Sequence, residues 1–290
     1  MKIGAVIGQV LLITGLSACG GGGTGLGGYT VANTTNNSQN TATTSSGSGV
    51  TLSNISTSTS TSGGVSFLNA QGLWRGSSDT NRGVISLILD NTFYWVLYSA
   101  AGDNNSLAGV VVGNSVSTNG VATSSNGKDF NFETGDLFPL TWQGSYVAGS
   151  RLQAILTYTD IPGAIVTLNT AYDNHYNAAP NIASLSGRYT GSSTSLTNGR
   201  VDSAFTIFAT GQISGSRVDG CTFSGVMSPR TSGNAYTVSL SYGTGCSERN
   251  IGSSSGSTGS AYFDPNNGQL YSVTLNSTTR DVLVFVGNKQ

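Results

Sequence analysis

Alternation is the clearest signal in the chain. Tyr236, Val238, Leu240 and Tyr242 are separated by Thr237, Ser239 and Ser241, and the same period recurs at Tyr271, Val273 and Leu275 and at Ala164, Val166 and Leu168. Apolar residues at every second position turn one face of a strand to a core and the other to water, so these runs predict half-buried β-strands. Asp90-Asn91, Asn119-Gly120, Asn126-Gly127, Asn198-Gly199, Thr210-Gly211 and Asn267-Gly268 lie near the run ends and suit tight hairpins. No window of a dozen residues carries a 3.6-residue apolar stripe. Beyond residue 64 the pattern predicts an almost purely antiparallel, all-β body.

That body reads as two similar halves. Gly72-Leu73-Trp74-Arg75-Gly76-Ser77-Ser78 matches Gly187-Arg188-Tyr189-Thr190-Gly191-Ser192-Ser193, and Val166-Thr167-Leu168-Asn169 matches Val273-Thr274-Leu275-Asn276. Each half holds about eight candidate strands, which suits a small up-and-down barrel or a strongly curved sheet, because such closure leaves few open edges. The alternative is one larger sandwich in which the halves share a core. Trp74 and Tyr189, near the start of each half, suit the closed end of a barrel better than a ligand contact. The run Phe93-Tyr94-Trp95-Val96-Leu97-Tyr98, like much of Val84 to Leu89, is apolar on both faces. Such a strand needs cover on both sides, either from the second half or the connecting segment, or from a protein or lipid partner.

The first 64 residues differ. Met1-Lys2, an apolar run from Ile3 to Leu16 and small residues before Cys19 follow the order of a secretory signal. The apolar run is shorter than the roughly 20 residues that span a bilayer. Leu16-Ser17-Ala18-Cys19 resembles the lipobox of bacterial lipoproteins. The resemblance implies cleavage before Cys19, which then carries diacylglycerol on sulfur and usually an acyl chain such as palmitate on its amine. Two or more chains convert marginal membrane affinity into stable anchoring. Gly20, where an Asp would favour inner-membrane retention, implies the outer membrane. From Gly20 to Gly64 the chain is dominated by Gly, Ser, Thr, Asn and Gln, with no charge and no Pro. Too little apolar area is present to offset chain entropy, so a disordered tether is expected, with a root-mean-square reach of about 35–40 Å. The Ser56 to Ser62 run could carry glycans, but a plain spacer accounts for it. The expected organisation is a signal peptide over 1–18, lipidated Cys19 with tether over 19–64, and β domains over 65–180 and 181–290, divided near Ala178-Ala179-Pro180.

Composition narrows the chemistry. Only 25 of 290 residues are Asp, Glu, Lys or Arg, and the net charge is −1. With no basic stripe, nucleic acid is not expected as a partner. One His and three Cys argue against a zinc, haem or iron–sulfur site, so no metal and no cofactor is expected. With Cys19 given to lipid, Cys221 and Cys246 remain as a pair in an exported chain, and a disulfide stapling neighbouring strands is the default. His175, in Asp173-Asn174-His175-Tyr176-Asn177, is the only imidazole; a Ser–His–Asp relay through it is weighed against a solvated loop histidine. No Gly-x-Ser-x-Gly elbow accompanies it. Only Glu133 and Glu248 are Glu, and most Asp sit in turn contexts, so a paired-carboxylate glycosidase is not expected. Asp264-Pro265-Asn266-Asn267-Gly268 has alternate oxygen donors, yet lacks the distal Glu of a calcium loop and reads as a hairpin turn. The Gly-rich stretches at 20–23 and 252–259 lack the Lys-Ser/Thr end of a phosphate loop.

The lipobox, Cys19-Gly20-Gly21-Gly22-Gly23, the long uncharged tether, the repeated Gly-x-Trp/Tyr-x-Gly and the terminal Val286-Gly287-Asn288-Lys289-Gln290 are together similar to surface lipoproteins of the transferrin-binding-protein B and factor-H-binding type. The resemblance implies small eight-stranded barrels on a flexible stalk that bind host proteins, but this chain carries far fewer charges, and no partner-contacting residue maps onto it. The expected function is that of a non-enzymatic outer-membrane lipoprotein, held to the membrane by its lipid, whose body binds a protein or other envelope component through strand edges and loops. The alternative is a lipocalin-like carrier holding a small apolar ligand near Phe93 to Tyr98. A hydrolase using His175 is a third reading.

Overall fold

A computed structural model describes residues 68–89, 92–247, 256–276 and 280–290. The predicted signal segment, Cys19, the tether, Asp90-Asn91, Glu248 and much of the 252–259 stretch lie outside the described residues.

Two closed antiparallel barrels follow one another. The first comprises β1 (Gly72–Ser78), β2 (Gly83–Ile88), β3 (Phe93–Ala100), β4 (Asp103–Asn114), β5 (Val116–Thr118), β6 (Val121–Asn131), β7 (Asp136–Val147), β8 (Arg151–Tyr158) and β9 (Ile165–Tyr172). Its strands run β4-β3-β2-β1-β9-β8-β7-β6, and pairing of β4 with β6 closes eight of them into a ring, with β5 continuing beyond β4 against β6. The second is a ring of β10 (Gly187–Ser195), β11 (Gly199–Ile207), β12 (Gln212–Arg217), β13 (Thr222–Pro229), β14 (Tyr236–Tyr242), β15 (Gly256–Asp264), β16 (Gln269–Leu275) and β17 (Val282–Lys289), closed by β10 on β17. Between them lie a single 3-10 turn, Asn174–Asn177, and one helical turn, Ile182–Leu185. Closure pairs most strands on both sides; among the described residues β5 ends the first sheet, and the part of β4 before Ala108 pairs only with β3.

The repeated Gly-x-Trp/Tyr-x-Gly motif builds each closing seam. Gly76 faces Thr170 of β9, and Gly191 faces Gly287 of β17. A Cβ on Gly76 would overlap the Asn169 carbonyl oxygen, and one on Gly191 that of Val286. Glycine is thus what lets first and last strands approach closely enough to close. The intervening aromatic fills the barrel base. Trp74 and Tyr189 have no exposed surface, and each donates a hydrogen bond to the carbonyl four residues earlier, Trp74 Nε1 to Ala70 at 3.0 Å and the Tyr189 hydroxyl to Leu185 at 2.7 Å. The second sequence match does not survive: Val166–Asn169 begins the closing strand β9, whereas Val273–Leu275 lies in β16, one strand before closure.

Each barrel has its own interior. Trp74, Tyr94, Val96, Leu140, Trp142 and Leu156 belong to the first; Tyr189, Phe205, Phe223, Val238, Leu240 and Phe285 belong to the second. On β14 the alternation holds strictly, with Tyr236, Val238, Leu240 and Tyr242 inward and Thr237, Ser239 and Ser241 exposed. A third apolar cluster joins the outer faces. Leu73, Leu87, Trp95, Leu97, Val110, Val112 and Phe130 of the first barrel pack with Tyr262, Val273, Val282 and Val284 of the second. Cover for the two-faced run Phe93 to Tyr98 therefore comes from the second half. It also explains β16, whose apolar Tyr271, Val273 and Leu275 face the first barrel while Ser272 and Thr274 are buried.

The turn expectations hold at Asn119-Gly120, Asn198-Gly199, Thr210-Gly211 and Asn267-Gly268, each joining paired neighbours. Asn126-Gly127 is different. It lies inside β6 as a bulge, where the register against β7 shifts between Ser124 and Gly127. Asn126 uses its side chain there to accept from the Asn114 amide at 2.9 Å. Cys221 and Cys246 form a disulfide across the adjoining ends of β13 and β14, which pair through Phe223 and Tyr242.

Candidate functional site

Beside the apolar junction the two barrels diverge to form an open cleft of about 610 Å³. One wall comes from β1 to β4, with Arg75, Ile85, Asn104, Asn105 and Leu107; the other comes from β10, β11, β16 and β17, with Ser192, Arg200, Asp202, Tyr271 and Asn288. Strand pleating places Arg200 and Asp202 at alternate positions on one face of β11, both exposed. Neither side chain has a hydrogen bond or ion pair among the described residues, and the same holds for the side chains of Asn105 and Asn288. Short turns position these groups: Asn198-Gly199 launches β11, and Asp103 shapes the start of β4 by accepting from the Asn105 amide at 3.0 Å and from the Ser106 hydroxyl at 2.6 Å.

Arg75 sets the inner limit of the cleft. From β1 its Nε contacts Asp173 Oδ2 at 2.6 Å, and its Nη2 reaches Asp264 Oδ2 in the second barrel at 2.8 Å. The guanidinium also lies 5.8 and 5.9 Å from the ring centres of Tyr262 and Tyr271. Asp173 has its pKa lowered: desolvation opposes this, but the His175 amide and Arg75 favour the charged form. His175 completes the group, with Nδ1 2.6 Å from Asp173 Oδ1 and Nε2 2.8 Å from the Asn266 side-chain amide. The nitrogen a relay serine would use thus faces Asn266. The sequence 264–268 is a hairpin turn, as expected, with the Gly268 amide donating to the Asp264 carbonyl.

The interior of the first barrel offers little room. A cavity of about 20 Å³, lined by Tyr94, Val96, Trp142 and Leu156 among others, lies inside the first barrel. Near the other end of that interior Asp129 is buried, accepting from the Tyr98 hydroxyl at 2.8 Å and the Tyr158 hydroxyl at 2.7 Å. Desolvation raises the Asp129 pKa against the pull of these two donors, and raises those of both tyrosines. Tyr94 is pushed up to about 12, chiefly by burial. The Asp129 group ties β3, β6 and β8 together, and its Tyr98 also borders the cleft.

Of the residues singled out in the sequence, the disulfide pair sits at the end of β13–β14, and His175 joins the Arg75 group. Cys19 lies outside the described residues. Sequence reasoning missed Arg75, Arg200, Asp202, Asn105 and Asn288 as cleft groups. A readable signal existed for Arg200 and Asp202: two charges at alternate positions of one strand stand out in a chain with so few.

The fold defines a tandem two-barrel, all-β protein with a polar cleft between its units. No protein-family model matches the chain, and no curated protein matches it.

Proposed function

We propose that this chain is a non-enzymatic lipoprotein of the outer membrane, anchored through Cys19, whose two-barrel body binds a macromolecule or envelope component at the cleft between the barrels. The observation that carries the reading is the contrast between the cleft and the first barrel's interior: about 610 Å³ of largely polar space lies between the barrels, against a cavity of about 20 Å³ within the first. Ligand sites usually occupy roughly 300–1,000 Å³. Unpaired polar side chains line the cleft wall, where a partner can engage them. The aromatics that favoured a lipocalin-like carrier have other duties, Tyr94 and Val96 filling the first interior and Trp95 and Leu97 packing on the second barrel. His175 has Asp173 and Asn266 as its hydrogen-bond partners, which supports a structural role for it.

The experiment is metabolic labelling of the full chain with an alkyne fatty acid in a Gram-negative host, followed by membrane fractionation. The wild-type chain is expected in the outer-membrane fraction carrying label, and Cys19→Ser is expected to lose the label and leave the membrane. Unlabelled wild-type protein would overturn the anchoring.

A further inference from the structure

We infer that the cleft between the barrels is a binding site for an uncharged oligosaccharide, an assignment that rests on reading the protein as a binder. Of the two arginines at the cleft, Arg75 is already neutralised by Asp173 and Asp264, at 2.6 and 2.8 Å. Arg200 then stands with Asp202 on the same face of β11, so the pair contributes no net charge. A polyanion such as nucleic acid or a sulfated glycan finds no net positive field here. An apolar ligand is also a poor fit, because covering the side chains of Arg200, Asp202, Asn105 and Asn288 would desolvate polar groups without giving them partners.

The unpaired groups have a chemistry in common. A guanidinium, a carboxylate and a primary amide each present two polar atoms in a planar fork. Neighbouring hydroxyls of a sugar ring are both donors and acceptors, and a planar fork engages such a pair with two hydrogen bonds. Asp202 supplies acceptors and Arg200 donors, while Asn105 and Asn288 supply both. Asn105 stands on the first barrel and the other three on the second, so a ligand between them is held from both walls. Between the forks, the partly buried Ile85, Leu107 and Val286 offer hydrocarbon to the C–H faces of a sugar.

The test is isothermal titration of the full chain in detergent with maltohexaose, cellohexaose and chitohexaose, and with hexagalacturonate as the charged comparison. At least one neutral hexasaccharide is expected to bind saturably. Asp202→Ala and Asn105→Ala, on opposite walls, are each expected to weaken it roughly tenfold or more. Gln153→Ala, on the outer face of the first barrel, is expected to leave affinity unchanged, and the far-ultraviolet circular dichroism of all variants should match wild type. Absence of binding by all three neutral sugars would overturn the inference, as would binding that Asp202→Ala and Asn105→Ala leave intact. If only hexagalacturonate binds, and Asp202→Ala alters its affinity, the neutral-sugar assignment fails while the cleft remains the binding site.

Discussion

Trp95 offers the sharpest probe of how the two barrels are joined. It has no exposed surface, points outward from the first barrel into the shared cluster, and its Nε1 donates to Ser260 Oγ of the second barrel at 3.1 Å. Truncating a fully buried Trp to Ala costs about 3–5 kcal/mol through lost transfer energy and the cavity left behind. Trp95→Phe keeps a ring in place but loses the indole donor, and is expected to cost about 1–2 kcal/mol. Combining Trp95→Phe with Ser260→Ala should cost less than the sum of the two, with a coupling of about 1 kcal/mol for the hydrogen bond. Urea unfolding followed by circular dichroism reads all three. Since both interiors stay intact, Trp95→Ala should also separate one cooperative transition into two steps as the barrels uncouple. A loss below about 1 kcal/mol from Trp95→Ala, with a single transition retained, would refute the placement of this side chain between the barrels.

Other consequences are checked as directly. Replacing Cys221 and Cys246 with Ala opens a span of 25 residues and is expected to lower unfolding stability by about 3.5 kcal/mol in denaturant titrations. Gly191→Ala, like Gly76→Ala, forces a Cβ onto the closing strand and should cost roughly 1–3 kcal/mol or prevent closure, seen as a lowered midpoint or loss of the β spectrum. The raised pKa of buried Asp129 means that the folded state holds its proton more tightly than the unfolded chain. Its contribution to stability therefore falls as pH rises above the ordinary carboxylate value of about 3.8, and Asp129→Asn should flatten that part of the pH profile. Asp173 and Asp219 act oppositely, because their pKa values are lowered. Their contribution is present above about pH 3.8 and is lost as pH falls through the depressed values, so the acid limb should survive in Asp129→Asn.

Much of the architecture was legible because strands announce themselves locally. The alternation on β14, the two-faced run on β3 and the paired Gly-x-Trp/Tyr-x-Gly motifs each report which side chains face a core, and the fold follows them. What was not legible depends on which strands meet. Asn126-Gly127 has the composition of a hairpin turn, yet it became a bulge because Leu140 and Tyr94 pack closely over Gly127 while Asn126 ties to Asn114. The match between Val166 and Val273 was a coincidence of strand composition, since β9 presents Val166 and Leu168 to a barrel interior and β16 presents Val273 to the other barrel. The cleft was further out of reach. Arg75 and Asp264 are 189 residues apart, and no local pattern announces a contact made only when two closed units dock.

The barrels are held against each other through the shared apolar cluster, so that one cleft of defined width lies between them. Spin labels at Asn105→Cys and Asp202→Cys, one on each wall in a Cys19→Ser background with the native disulfide intact, measure its width by double electron–electron resonance. One narrow distance distribution is expected, and Trp95→Ala should broaden it. A broad or bimodal distribution in the otherwise native chain would mean that the barrels swing independently about residues 173–186, and would contradict the account.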